Sequence, residues 1–235
     1  MSTEIVILAA GMGSRLGGSV PKPLTVLSDG RTIMQQQLDN LSTIFGPQKV
    51  NIVVGHKYEQ IIEAHPSQKF IHNEEYDSTN TSKSLLKALK HVPQSANVLW
   101  LNGDVVFSPE ILQNAQSLIN SNRNFVTVNT SEVHDEEIKY TVDREGFIAD
   151  LSKVVPLNRA LGEAVGINYI SAKDRMDFAY YLNQVGRQDY FEKGLELAIA
   201  KGMKVEPYDF SSKGLYAVEV DFAEDLKRAN ATIQS

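Results

Sequence analysis

Residues 5–24, Ile-Val-Ile-Leu-Ala-Ala-Gly-Met-Gly-Ser-Arg-Leu-Gly-Gly-Ser-Val-Pro-Lys-Pro-Leu, restrict what this chain can become more than any other stretch. They open with an unbroken apolar run, Ile5 to Ala10. A run that short and β-branched predicts a strand buried on both faces. Gly11 and Gly13 follow, with Ser14 and Arg15 beside them. Two positions without a Cβ let backbone N–H groups turn toward an anion, phosphate above all. Lys22 then stands between Pro21 and Pro23, so its ammonium is delivered from a nearly fixed backbone. Together these residues predict a site for something carrying several negative charges.

Two familiar glycine loops fit poorly. A dinucleotide fold wants G-x-G-x-x-G, and here Leu16 fills the third glycine slot. A P-loop ends in G-K-[ST], which is absent. Composition narrows the classes further. A chain of 235 residues, 42% of them hydrophobic, can build one sizeable core, and we expect a single domain over 1–235. A net charge of −6 disfavours a nucleic-acid surface. With no cysteine there is no disulfide and no thiolate metal site. No apolar stretch approaches the ~20 residues of a membrane span, and no basic-then-apolar leader opens the chain. The expectation is a soluble cytoplasmic protein with no membrane or nucleic-acid partner, and with room left for a homodimer.

Along the chain, helical spacing over 32–44, 58–64, 82–91 and 109–120 alternates with short apolar runs at 50–55, 69–72, 98–101 and 125–128. That alternation predicts an α/β fold, Rossmann-like and three-layered, with a mixed, mostly parallel sheet and helices on both faces. From residue 138 the rhythm changes. Residues 139–142 and 147–151, joined by Asp143-Arg-Glu-Gly146, predict a β-hairpin inserted in the second half of the sheet and covering the ligand cleft. A strand at 165–170, helices at 178–182 and 189–200, strands at 205–209 and 216–220 and a closing helix at 222–233 complete the pattern.

In open α/β sheets the ligand sits beyond the carboxyl ends of the strands. Asp104 follows one such run, and Asp221 follows another. Two carboxylates there suit one Mg²⁺, a hard cation that takes oxygen ligands and substrate phosphates. Glu219, on the same strand face as Asp221, is a substitute or support. The alternatives stay open: Asp104 as a turn residue after Gly103, Asp221 as the N-cap of the closing helix. The polar cluster Thr79-Asn-Thr-Ser-Lys-Ser84 either caps a helix or reads a ligand's polar edge. Lys139 and Lys153 either meet a second phosphate-bearing substrate or are ordinary solvated lysines. The five histidines have no metal-ligand spacing.

Leu8-Ala-Ala-Gly-Met-Gly-Ser-Arg15 and Pro21-Lys22-Pro23 match, residue by residue, the signature of the sugar-nucleotidyltransferase-like family, the pyrophosphorylases. Asn73-Glu-Glu-Tyr76, Asn102-Gly-Asp104 and Glu219-Val-Asp221 resemble its branch of CTP cytidylyltransferases acting on phosphocholine-like compounds. The segment from Glu137 through Lys153 to Ile167 is similar to units found with phosphonate biosynthesis. The related GT-A glycosyltransferases usually show Asp-x-Asp where this chain has Asn102-Gly-Asp104. The short gap from Leu16 to Val20 resembles the compact cytidylyltransferases more than the large sugar enzymes. The resemblance implies a GT-A-like nucleotidyltransferase fold and transfer of CMP from CTP to a small phosphorylated or phosphonylated acceptor, releasing pyrophosphate. Arg15 and Lys22 would lie along the triphosphate, with Leu8, Ala9, Ala10, Gly11, Gly13, Ser14 and Gly103 around the nucleotide. Asn80 and Ser82 would sit near base and ribose, and Asp104 and Asp221 would hold Mg²⁺. Lys139 and Lys153 would orient the acceptor's anion, and Glu163 would meet a cationic amine. Two other readings remain: a sugar-1-phosphate or polyol-phosphate nucleotidyltransferase, and a nucleotide-binding regulatory subunit without chemistry.

Overall fold

The computed structural model describes residues 2–13, 20–211 and 214–233. Strand β1 (Thr3–Ala9) lies inside the sheet. Because side chains alternate along a strand, Ile5, Ile7 and Ala9 join one apolar cluster, and Val6, Leu8 and Ala10 the other. β2 (Asn51–Val54), β3 (Lys69–His72) and β4 (Asn97–Asn102) run parallel to it in the order β4-β1-β2-β3. β9 (Gly162–Ile170) is antiparallel between β4 and β6 (Phe125–Asn129), and β10 (Glu206–Asp209) pairs parallel with β6 at the edge. The sheet is open, mixed and mostly parallel, and carries helices on both faces as expected.

One face packs α1 (Ile33–Phe45), α2 (Tyr58–Ala64), α4 (Glu110–Asn114) and α5 (Gln116–Asn120). The other packs α3 (Thr81–His91), α6 (Ala172–Gln184) and α7 (Phe191–Ala200). The single helix expected over 109–120 is two, because Ala115, with ψ of −7°, opens the hydrogen-bond ladder between them. α6 is longer than the expected 178–182. Its first turns carry buried Arg175 where an apolar residue would have signalled a core face. That guanidinium donates to the carbonyls of Leu89, Val92, Pro93 and Ala96, tying α6 to the end of α3.

The hairpin is β7 (Lys139–Val142) and β8 (Ile148–Ser152). It is not a flap laid over the cleft. β7 also pairs with β9, so the hairpin extends the main sheet. Two short strands escape that sheet. β5 (Val105–Phe107), which the sequence reading missed, pairs antiparallel with β11 (Ala217–Glu219). α8 (Ala223–Ile233) follows, and Leu27, Ile33, Val106, Val220 and Ala229 form a small apolar cluster beneath the pair. Among the described residues, no helix is long and apolar enough to cross a membrane.

Candidate active site

The site is assembled where β4 and β11 end. Gly103 turns the chain out of β4, and its N–H donates to the Leu8 carbonyl at 2.9 Å. A Cβ on Gly103 would sit 2.8 Å from that oxygen, so only glycine allows the approach. Asp104 comes next, then β5. In the β5–β11 ladder Glu219 stands opposite Val105, and the Val220 N–H donates to the Asp104 carbonyl at 3.0 Å. This register delivers Asp221 beside Asp104. The Asp225 carboxylate, in the first turn of α8, accepts the N–H groups of Asp221 at 3.1 Å and Phe222 at 2.7 Å. The Asp221 side chain reaches Lys22.

Lys22 starts a single 3-10 turn over Lys22–Leu24, with Pro21 before it and Pro23 inside it. Its ammonium donates to Asp104 Oδ2 at 2.8 Å and to Asp221 Oδ1 at 2.5 Å. Burial alone would lower the Lys22 pKa, but the two carboxylates outweigh it and hold it above its ordinary value. Asp104 Oδ1 is buried and has no hydrogen-bond partner among the described residues. Two carboxylates meeting at one point, one with an orphaned oxygen, are a donor set that fits a hard divalent cation such as Mg²⁺. Gly13, at φ +59°, lies against the lysine stem; a Cβ there would be 3.2 Å from Lys22 Cβ.

These residues open into a cleft of about 480 Å³. Leu8, Ala9, Gly11, Gly13 and Gly103 line it, whereas Ala10 is packed into the core below. Asn80 also lines it. It is the N-cap of α3, accepting the Thr81 N–H at 2.8 Å and donating to the Gln188 carbonyl at 3.3 Å. Ser82, expected beside it, is fully buried one step inside the helix and away from the cleft. Ser14 and Arg15 lie outside the described residues.

The far wall differs from expectation. Lys153 lines the cleft, with its ammonium 5.1 Å from the centre of the Tyr190 ring. Lys139 does not. It is fully buried, and its ammonium donates to the backbone carbonyls of Asp135 and Glu137. Glu163, its partner across the β7–β9 ladder, accepts the His134 N–H at 2.9 Å and does not line the cleft. The acids that line it besides Asp104 and Asp221 are Asp77, Glu136, Glu137, Glu192 and Glu219. Burial, then the charge of Glu163, raises Glu137 above the usual carboxylate range, while Lys153 counters the rise. Burial pushes Glu192 up to about 7, against a lowering by Lys153. Burial and the charge of Asp104 raise Glu219 well above the usual range, although the Asn102 amide donates to it at 3.2 Å. Glu192 had a legible signal. It shares a helix stripe with Leu195 and Ile199, a core position for an acid. Glu137 had none.

Residues 5–201 match the MobA-like NTP transferase domain. The bifunctional protein GlmU of Halorhodospira halophila is 36% identical over 110 residues, 46% of this chain and 23% of that protein. The CMP-5'-(3-aminopropyl)phosphonate synthase of Streptomyces rubellomurinus is 38% identical over 117 residues, 46% of this chain and 18% of that protein. The chain therefore spans about a fifth of the length of these curated relatives. Among solved structures, the inositol-1-phosphate CTP transferase of T. maritima superposes with a TM-score of 0.80 at 19% identity, over 100% of this chain and 97% of that one. The CTP:phosphocholine cytidylyltransferase of Streptococcus pneumoniae superposes at 0.77 with 17% identity, over 99% and 100%. At such identities the superpositions speak for the fold.

Proposed function

The chain belongs to the MobA-like NTP transferase domain family, and on that premise we propose that it is a Mg²⁺-dependent cytidylyltransferase. It would transfer CMP from CTP to a small phosphorylated or phosphonylated compound, phosphocholine- or aminoethylphosphonate-like. One observation carries the reading: Asp104 and Asp221, from different strands, converge on Lys22 at the end of a glycine loop. In the reaction an oxygen of the acceptor's phosphate or phosphonate attacks the α-phosphorus of CTP, and the bond to the β-phosphate breaks to release pyrophosphate. That oxygen is already anionic, so no general base is required. The protein supplies alignment and charge neutralisation. Glycine-loop amides and Lys22 face the polyphosphate, and Arg15 belongs to the same signature. Asp104 and Asp221 would hold Mg²⁺, with Glu219 behind them; when bound, the ion neutralises phosphate charge. Lys153 takes the acceptor's anion. Glu137 and Glu192, with Tyr190 also lining the cleft, suit a cationic amine better than Glu163, which His134 engages.

The S. pneumoniae and T. maritima proteins named above use CTP, and the S. rubellomurinus synthase makes a CMP-phosphonate; these support the base and the acceptor class. CTP is expected to raise Tm more than ATP or GTP does, as a ligand specific to the folded state should. Equal shifts from every nucleotide would remove the base assignment. Pyrophosphate release with CTP, Mg²⁺ and a panel of phosphocholine, aminoethylphosphonate and sugar phosphates tests the acceptor. The like fold of the inositol-1-phosphate CTP transferase supports a second reading, transfer to a sugar or polyol phosphate. Turnover of hexose-1-phosphate alone would select it. Nucleotide binding without pyrophosphate from any acceptor would instead select a regulatory role.

A further inference from the structure

We propose that Lys22 is the resident cation of the Asp104–Asp221 cradle in the nucleotide-free protein, so that a divalent ion enters only as the ammonium leaves for the polyphosphate. The inference rests on the nucleotidyltransferase reading of this site and concerns the order of events in it. Its ground is geometric. The ammonium lies 2.8 Å from one carboxylate and 2.5 Å from the other, with Oδ2 of Asp104 and Oδ1 of Asp221 both turned onto it. These are the oxygens a hard cation would take at about 2.1 Å. An ammonium and a dication cannot share them, because like charges at contact distance repel strongly in a partly desolvated cleft. The Lys22 side chain is 12% exposed, so water screens little of that repulsion.

Lys22 also has somewhere to go. Pro21 and Pro23 hold its backbone, so a change of site is a change of side-chain rotamer and not of fold. Its four-carbon stem runs against Gly13, whose missing Cβ leaves the stem room beside the phosphate-binding loop. An incoming polyphosphate offers the ammonium more negative charge than the cradle does. Its departure releases Asp104 Oδ2 and Asp221 Oδ1 from the ammonium, beside the orphaned Asp104 Oδ1. Nucleotide and divalent ion therefore bind cooperatively, and the ion alone binds weakly. An unassisted cradle that gripped its ion without nucleotide would behave otherwise.

The test uses the full chain without nucleotide and Mn²⁺ as the probe, with free Mn²⁺ read by electron paramagnetic resonance. Lys22→Met is expected to bind one Mn²⁺ at least tenfold more tightly than the wild type, and Lys22→Met with Asp104→Asn to lose that gain. A Lys22→Met protein, folded by circular dichroism, that binds Mn²⁺ no better than wild type overturns the proposal. Should the variant not fold, the wild type decides. With ¹⁵N-labelled lysine side chains, the Lys22 ammonium resonance should hold its position when Mg²⁺ is added alone and move when CTP and Mg²⁺ are added together. Movement with equimolar Mg²⁺ alone overturns the proposal. Failure of the cytidylyltransferase reading is separate: it would appear as absent pyrophosphate release, whatever Mn²⁺ does.

Discussion

The two walls of the cleft are built on opposite principles. The glycine-loop wall comes from residues 8–13 and 22–23, and its charged group is a lysine on a proline-braced turn. The acidic part of the lining gathers Glu137 from the turn before β7, Glu192 from the first turn of α7 and Glu219 from β11, beside Asp104. Its carboxylates are desolvated, and the charge of Glu137 adds to the upward shifts of Glu192 and Glu219. A backbone anion site is nearly free of strain, since orphan amides need partners in any case. A cluster of buried acids is destabilising until a cation meets it, and that is the ordinary mark of a functional surface. The α7 dipole relieves Glu192 only in part.

The largest effect that bears on this contrast falls on the first wall. Lys22→Ala should lower pyrophosphate release on the order of 10³-fold with circular dichroism unchanged. A variant within tenfold of wild type would deny that wall its electrostatic task. The second wall is probed by stability. With its pKa raised to about 7, Glu192 keeps its proton in the folded protein after the unfolded chain has lost it. Its cost therefore begins as pH rises past the ordinary carboxylate range and is complete above about 7. Glu192→Gln should be more stable than wild type by about 2–3 kcal/mol at pH 8, with the difference fading toward pH 4.5. Denaturant melts at both pH values measure it, and a gain independent of pH would show that Glu192 is not a strained acid. The smallest effect belongs to the seam between the walls. Gly103→Ala pushes a methyl onto the Leu8 carbonyl and should cost about 1–3 kcal/mol. An unchanged Tm would mean that the loop yields easily.

How much of this was legible in the sequence follows the same division. Local signals carried β1 to β4, α1 and α2 and the placement of Asp104 and Asp221 at strand ends. Long-range ones did not. Val105–Phe107 is too short to announce a partner, and its antiparallel match with Ala217–Glu219 is what unites the two aspartates. Lys139 looked like a cleft-side cation because lysine at a strand start is normally solvated, yet two carbonyls of the preceding turn take it in. Glu163 faces His134 because of its register on β9, which no local pattern fixes. Arg175 hid the start of α6 by standing, charged and buried, where periodicity looks for an apolar side chain.

The apolar knot of Leu27, Ile33, Val106, Val220 and Ala229 contributes no residue to the cleft lining, yet it clamps the two strands whose tips present the aspartates. It works as a caliper, setting the gap between two jaws from behind. Widening Ala229 or trimming Val220 would then shift the gap between Asp104 and Asp221, although neither residue lines the cleft.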